Sequence, residues 1–304
     1  MTELVLGCAQ LGLAYGIANT AGQPSRGEAV ELLRRAADSG IAQFDTARAY
    51  GDSEARLGEA LGGRDVTIIT KLSPLAGLAA APAGDDVRAA VDASIEHSLA
   101  ALGRDRLDCL LLHRAAHLAA YGGAVWRRLL ALRAEGRADR LGVSVQSPRE
   151  ALAALAEPDV RHVQLPFNPL DWRWREAGVA AACERRPDVT VHARSVFLQG
   201  LLAAGDASIW PPIPGVDAET VVRSLARLAR ELDRESPADL CLAYAGGHAF
   251  IDGVVVGLET AEQLELNLRL AAKPPLAPDD CRFVEQRLPR LPEQLLDPSR
   301  WPQR

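Results

Sequence analysis

The chain has 304 residues, is 48% hydrophobic and carries a formal net charge of −6. This length suits two ordinary domains or one α/β barrel, and a modest negative charge without a long basic run argues against nucleic acid as a partner. No apolar run of about 18 residues occurs, so we expect no membrane span, and the N-terminus resembles a first strand more than a signal peptide.

The five cysteines are scattered along the chain, odd in number and without CxxC spacing. They are Cys8, Cys109, Cys183, Cys241 and Cys281. This pattern favours small core residues in a reducing, cytoplasmic compartment. It predicts neither a disulfide framework nor a structural metal site.

Eight apolar or β-branched runs alternate with amphipathic segments. The runs predict strands at 4–9, 40–44, 66–71, 107–113, 140–145, 160–165, 189–193 and 251–257. The segments between them predict helices at 27–39, from 53 to 61, at 86–102, at 124–135, from 148, at 174–183, at 218–232, at 238–245 and from 260. Ser25 with Glu28 forms a capping box before the first helix.

Strands and helices alternate in units of roughly 30 residues, which favours a parallel sheet. Eight such units predict an α/β fold, a single-domain (β/α)8 TIM barrel over residues 1–304. The turn after the first strand, residues 7–12, is not GxGxxG, which disfavours a Rossmann fold. The long loop 194–215 is expected to be functional because its apolar content argues against disorder. Residues 277–304 are expected to form a C-terminal tail with one helix and a surface arm.

In a (β/α)8 barrel the catalytic residues lie at the carboxyl ends of the strands. Asp45 follows the second strand, Tyr50 lies in the next loop, and Lys71 and His113 end the third and fourth strands. Lys71 and Lys273 are the only lysines among 34 Lys+Arg residues, so a lysine at a strand end favours a specific role. Each residue alone could be structural, but their occurrence at consecutive strand ends favours chemistry.

These four side chains can assist the reduction of a carbonyl group. A phenol is a weak acid near neutral pH, with an ordinary pKa of about 10, and a nearby ammonium stabilises the phenolate. Lys71 can supply that ammonium if Asp45 keeps it charged, because a buried ammonium without a partner would lose its proton. His113 can donate a hydrogen bond that orients the substrate oxygen. The other five histidines are expected to be structural or on the surface: His97, His117, His162, His192 and His248.

Four segments resemble sequence blocks of the aldo-keto reductase family: 44–51, 68–71, 110–113 and 142–145. The resemblance covers about residues 4–270. It implies a (β/α)8 barrel and nicotinamide-dependent carbonyl reduction without a metal. It also implies Tyr50 as the proton donor, Lys71 and Asp45 as the pair that tunes it, and His113 as the residue that orients the carbonyl.

The resemblance extends to residues that would bind the nicotinamide half of the cofactor. Ser144 and Gln164 match residues that hold the nicotinamide carboxamide, although the Asn usual after that serine is Val145. Arg194 stands where an aromatic residue usually stacks under the nicotinamide. Ser195 matches a residue near the pyrophosphate.

NADP(H) is the cofactor that the resemblance implies. Asn267 matches an adenine contact. Gly257 and Gln263, however, stand where many members place the Lys and Arg that clamp the 2′-phosphate, and Glu259 adds a negative charge. We therefore expect a weakened preference for NADPH, with NAD(H) as the open alternative.

The expected substrate is a small carbonyl compound or its alcohol, and a polar or phosphorylated sugar-like one suits the loops. Polar rim candidates are Arg48, Arg114, Arg194 and Gln199, and apolar ones are Phe197, Trp172, Trp174 and Trp210. Two other functions stay open. One is an epimerase or eliminase that uses transient oxidation, and the other is a nucleotide-binding barrel that serves as a regulatory subunit. The sequence leaves the reaction direction and the oligomeric state open.

Overall fold

Eight parallel strands close into one barrel in chain order, which confirms the predicted (β/α)8 fold. The computed structural model describes residues 2–79 and 81–302. The strands are β1 Glu3–Gly7, β2 Gln43–Asp45, β3 Thr67–Lys71, β4 Leu107–Leu112, β5 Ala138–Ser144, β6 His162–Pro166, β7 Thr190–Arg194 and β8 Gly253–Gly257. β1 pairs in parallel with both β2 and β8, and this pairing closes the barrel.

Thirteen α-helices occur in the described part of the chain. They are α1 Arg26–Asp38, α2 Ser53–Leu61, α3 Gly84–Leu102, α4 Ala120–Ala134, α5 Pro148–Ala156, α6 Arg173–Glu176, α7 Val179–Glu184, α8 Leu201–Ala204, α9 Ala218–Glu231, α10 Pro237–Gly246, α11 Ala261–Ala271, α12 Pro278–Arg287 and α13 Glu293–Leu296. The capping box of Ser25 and Glu28 is present at the start of α1. No helix within residues 2–79 and 81–302 is both long and apolar enough to cross a bilayer.

Two predicted segments differ in detail. The helix expected at 174–183 is divided into α6 and α7 because Gly178 adopts a left-handed conformation, with φ of 72°, between them. The loop that follows β7 contains α8 and a short 3₁₀ turn, Ala207–Ile209. Leu198, Leu201 and Leu202 of this loop are buried, so it is packed against the barrel.

The prediction of a C-terminal surface arm is wrong for the segment that contains α13. Leu291, Leu295 and Leu296 are each at most 4% exposed, and they join the main hydrophobic core. Backbone oxygens of this segment also accept hydrogen bonds from the loop after β6, including one from Trp172 Nε1 to Leu291 O at 3.0 Å. The segment is rich in proline and charged residues, and this composition did not indicate that three of its leucines face the barrel.

The barrel interior beneath the strand ends is filled by apolar and histidine side chains. One buried cluster there comprises Val5, Ile69, Cys109, Leu111 and Val255. The rings of His162 and His192 meet edge to face, with 4.3 Å between their centroids. Glycines in neighbouring strands give these rings room, since a Cβ at position 253 would lie 2.8 Å from His192 Cδ2. The polar residues at the strand ends therefore lie above a packed barrel interior and not above an open channel.

Candidate active site

A cavity of about 860 Å³ opens at the carboxyl ends of the barrel strands. Tyr50 after β2, His113 after β4 and the segment after β8 all line it. In a closed eight-stranded barrel β4 lies opposite β8, so His113 faces the segment after β8 across the opening, whereas Tyr50 lies two strands from β8. The cavity is large enough for a cofactor and a small substrate together.

Asp45 and Lys71 form a buried ion pair at the floor of the cavity. Lys71 Nζ donates to Asp45 Oδ1 at 2.7 Å and to the backbone oxygen of Thr46 at 2.8 Å. Burial acts to lower the pKa of Lys71, but the Asp45 carboxylate and nearby Tyr50 outweigh it and hold that pKa above its ordinary value. Lys71 therefore remains an ammonium at neutral pH.

Tyr50 stands between this ammonium and an imidazole. Lys71 Nζ lies 5.1 Å from the centre of the Tyr50 ring. The rings of Tyr50 and His113 meet edge to face, with 5.6 Å between centroids. The structure thus brings together all four residues that the strand ends predict, with the phenol half-buried in the cavity wall.

His113 is neutral in this environment. Burial, reinforced by the positive charges of Lys71, Arg194 and Arg114, lowers the pKa of His113 to about 3. Its Nδ1 is buried and has no hydrogen-bond partner among the described residues. A neutral imidazole can orient a carbonyl oxygen by one hydrogen bond, but it is not the group that delivers a proton at neutral pH.

Gln164 is fully buried and holds the second oxygen of the Asp45 carboxylate. Its Nε2 donates to Asp45 Oδ2 at 2.6 Å. Its Oε1 is buried and has no partner within the described residues. An unpaired buried acceptor of this kind fits the amide donor of a nicotinamide carboxamide, and Ser144 lies in the neighbouring cavity wall.

Arg194 connects the loops after β5 and β7. Its Nη2 donates to Val145 O at 3.0 Å and to Gln146 Oε1 at 2.6 Å, and its Nη1 donates to Ser195 Oγ at 3.3 Å. All three acceptors are uncharged. Arg194 and Ser195 therefore line the cavity as a fixed unit with an unneutralised positive charge.

At the other end of the cavity, the segment after β8 offers no cation. Gln263 accepts a hydrogen bond from the backbone nitrogen of Glu259 at 2.7 Å, which places its side chain at the start of α11. The Gln10 amide fills the space beside Gly257, so a side chain at position 257 would require Gln10 to move, since a Cβ there would lie 2.3 Å from atoms of the Gln10 side chain. Asn267 is buried in the cavity wall, and no Lys or Arg of the described chain lines this end.

Several predicted rim residues lie elsewhere. Arg48 does not line the cavity, and its Nη1 lies 3.9 Å from Glu54 Oε2. Trp174 is buried and donates to Asp171 Oδ2 at 2.9 Å. Trp172 and Trp210 also lie outside the cavity, whereas Phe197, Arg114 and Gln199 line it.

Among the side chains of the cavity wall that sequence reasoning missed are Tyr15 and Gln146. Tyr15 lies in the loop after β1, and Gln199 Nε2 in the loop after β7 lies 3.5 Å from its hydroxyl. The glycines around Tyr15 mark a loop at a strand end, which is the one signal that could have identified it. Gln146 has no such signal, because its role depends on contacts with Arg194 and with Asp297 far along the chain.

The fold and the polar strand ends define an enzyme of the (β/α)8-barrel class. The model of the Aldo/keto reductase family matches residues 3–287. The chain therefore belongs to that family. Its enzymes use nicotinamide cofactors for oxidation and reduction.

Solved structures of similar fold agree with this assignment. The holo form of the aldo-keto reductase AKR11C1 from Bacillus halodurans superposes with a TM-score of 0.74 at 20% identity, over 97% of this chain and 95% of that one. The thermostable aldo-keto reductase Tm1743, in complex with the inhibitor epalrestat, superposes with a TM-score of 0.69 at 22% identity, over 94% of this chain and 95% of that one. The PA4992 protein of Pseudomonas aeruginosa superposes with a TM-score of 0.64 at 23% identity, over 89% of both chains. At these identities the similarity establishes the fold alone. A comparison with curated protein sequences found no match.

Proposed function

We propose that this protein reduces an aldehyde or ketone to the alcohol with a nicotinamide cofactor, and that Tyr50 donates the proton. The observation that carries the proposal is the position of Tyr50, beside a buried ammonium that Asp45 neutralises and a neutral imidazole. The polar walls at Tyr15, Gln10 and Gln199 suit a polar, sugar-like carbonyl compound. Five buried cysteines without disulfides support a reducing, cytoplasmic setting.

The proposed reaction needs one hydride and one proton. A bound nicotinamide cofactor supplies the hydride to the carbonyl carbon. His113 orients the carbonyl oxygen, and Tyr50 transfers its hydroxyl proton to that oxygen as negative charge develops there. Lys71 stabilises the phenolate that remains, and Asp45 keeps Lys71 charged throughout.

The residues of the second half of the barrel support cofactor binding. Ser144 and the unpaired Oε1 of Gln164 fit the nicotinamide carboxamide. Arg194 and Ser195 line the same cavity, and in this proposal they meet the nicotinamide ring and the pyrophosphate. Asn267 also lines the cavity, and the proposal assigns it to the adenine.

Removal of the Tyr50 hydroxyl tests the proposal. Tyr50→Phe should lower kcat for 4-nitrobenzaldehyde by about 100- to 10,000-fold, which is the contribution of general acid catalysis. Its dissociation constant for the cofactor should stay within about threefold of wild type. Wild-type protein that turns over no member of a panel of aldehydes and ketones with either cofactor would refute the proposal.

We infer in addition that this protein does not favour NADPH strongly over NADH. A 2′-phosphate would meet Gln263 and the carboxylate of Glu259, and neither supplies the positive charge and paired N–H donors that a guanidinium offers to phosphate. The dissociation constants of both cofactors, measured by fluorescence titration, test this directly. NADPH binding at least about tenfold tighter, a difference of about 1.4 kcal/mol, would refute it.

A further inference from the structure

The walls of the cavity carry positive charge at the end where the proposed reaction occurs. Within the described chain, the cationic side chains that line the cavity are Arg114 and Arg194. Three carboxylates line it as well: Asp45, Glu150 and Glu259. The net charge at the catalytic end depends on which groups each carboxylate contacts.

None of the three carboxylates neutralises these arginines. Asp45 is paired with Lys71 at 2.7 Å. Glu150 accepts from the backbone nitrogen of Gln146 at 2.6 Å and caps the start of α5. Glu259 belongs to the segment after β8, on the opposite side of the barrel from Arg114, which follows β4, and it forms no ion pair with either arginine in the described chain.

The two arginines differ in what holds them. Arg194 is fixed by three uncharged acceptors in the loops after β5 and β7. The Arg114 side chain makes no hydrogen bond and no ion pair within the described residues, and the residue is exposed. Arg48, the other arginine expected at the rim, does not line the cavity, and its Nη1 lies 3.9 Å from Glu54 Oε2. Arg114 is therefore the cation of the catalytic end that is free to bind a ligand.

The position of Arg114 separates it from the residues assigned to the cofactor. It directly follows His113 at the end of β4, whereas the cofactor candidates belong to β5 through β8 and the loops after them. Both residues line the same cavity, and the positive charge of Arg114 helps to lower the pKa of the His113 imidazole. A group that contacts Arg114 therefore lies beside the carbonyl that His113 orients.

We propose that Arg114 binds an oxyanion of the substrate, so that the preferred substrates are aldehydes or ketones that carry a carboxylate or a phosphate. This inference rests on the proposed carbonyl reductase activity. The planar guanidinium matches both oxyanions with paired hydrogen bonds. An anion here also balances the excess positive charge that Lys71, Arg114 and Arg194 create around the reacting oxygen after Asp45 is counted.

Matched substrate pairs test the proposal. The carboxylate pair is 4-carboxybenzaldehyde with methyl 4-formylbenzoate, and the phosphate pair is glyceraldehyde 3-phosphate with glyceraldehyde. For each pair the ratio of kcat/KM for the anionic over the neutral member is measured. In wild type we expect a ratio well above one for at least one pair, and Arg114→Gln should lower that ratio about tenfold, chiefly through KM. Added salt should lower the wild-type ratio because it screens an exposed charge.

Arg230→Gln provides the control, because Arg230 is an exposed arginine on α9 and does not line the cavity. It removes the same charge and should leave both ratios unchanged. Wild-type ratios near one, or ratios that Arg114→Gln leaves unchanged, overturn the anion site while the reductase activity stands. If wild type reduces no aldehyde, the proposed function fails and the anion site fails with it.

Discussion

Gln164 donates its amide nitrogen to Asp45 Oδ2 at 2.6 Å, on the opposite carboxylate oxygen from the one that Lys71 contacts at 2.7 Å. The two bonds together fix the carboxylate, which is buried at the floor of the cavity. Gln164 thereby supports the Lys71 ammonium as well as offering its free oxygen to a cofactor. The family resemblance links Gln164 only to the nicotinamide. In the structure it also holds the carboxylate of the Asp45–Lys71 pair.

Gln164→Leu should therefore destabilise the protein even without cofactor. The loss of a hydrogen bond to a buried carboxylate is worth about 1.5–3 kcal/mol in the free energy of unfolding. Urea denaturation at pH 7 measures this change, with exposed Gln286→Leu of α12 as the control. A loss below about 0.5 kcal/mol would mean that Gln164 serves the cofactor alone.

The Asp45–Lys71 pair allows stability and catalysis to be separated. Lys71→Met leaves a buried carboxylate without its cation, and breaking such a pair costs about 3–5 kcal/mol. The double variant Asp45→Asn, Lys71→Met removes both charges and should regain at least half of that loss. Neither variant should recover turnover, because Tyr50 lacks the ammonium in both. A double variant with wild-type kcat would contradict the role given to Lys71.

The buried histidines of the barrel interior predict a loss of stability in acid. Burial lowers the pKa of His192 to about 4 from an ordinary value of 6.5, and burial also holds the pKa of neighbouring His162 well below its ordinary value. Between pH 6.5 and 4 the unfolded chain binds more protons than the folded one, so stability falls as the pH falls. Each such histidine adds a slope of about 1.4 kcal/mol per pH unit.

His192→Leu should reduce that slope by the contribution of one histidine, about 1.4 kcal/mol per pH unit. Urea denaturation at several pH values between 7 and 4.5 measures the slope for wild type and variant. His97→Gln, at an exposed position on α3, is the matched control and should not alter it. An unchanged slope in His192→Leu would show that this ring takes no part in the acid response.

The parts of the fold that sequence predicts are those with a local physical cause. β-branched runs, caps such as Ser25 with Glu28, and polar residues at strand ends located all eight strands and the group of Asp45, Tyr50, Lys71 and His113. In a barrel, strand ends converge by geometry, so a residue's place in its strand indicates its place in the site. This holds without knowledge of any distant contact.

What sequence could not predict depends on contacts between distant segments. Arg48 follows the catalytic strand but turns to Glu54, and no local pattern indicates that choice. All three tryptophans proposed for the rim, Trp172, Trp174 and Trp210, lie outside the cavity. Gln146 lies between Arg194 and Asp297, and this link joins the cavity wall to a C-terminal segment 151 residues further along the chain.

That C-terminal segment gives the last prediction. Leu296 is fully buried, and the backbone of the same segment accepts hydrogen bonds from Trp172 and Arg173 in the loop after β6. Leu296→Ala should lower the free energy of unfolding by about 2–5 kcal/mol, because it leaves a cavity in the core. Leu152→Ala on α5 is the control, since Leu152 is 38% exposed and should change stability by less than about 1 kcal/mol.

The same variant also tests whether the segment matters to the site. Asp297 follows Leu296 and accepts a hydrogen bond from Gln146 Nε2 at 3.1 Å, and Gln146 in turn holds Arg194. Displacement of the segment should loosen Arg194 and weaken cofactor binding severalfold in Leu296→Ala at a temperature where the variant is still folded. If Leu296→Ala is as stable as Leu152→Ala, the segment is a detachable arm and the packing described above does not hold in solution. If stability falls while cofactor affinity is unchanged, the segment supports the barrel without positioning Arg194.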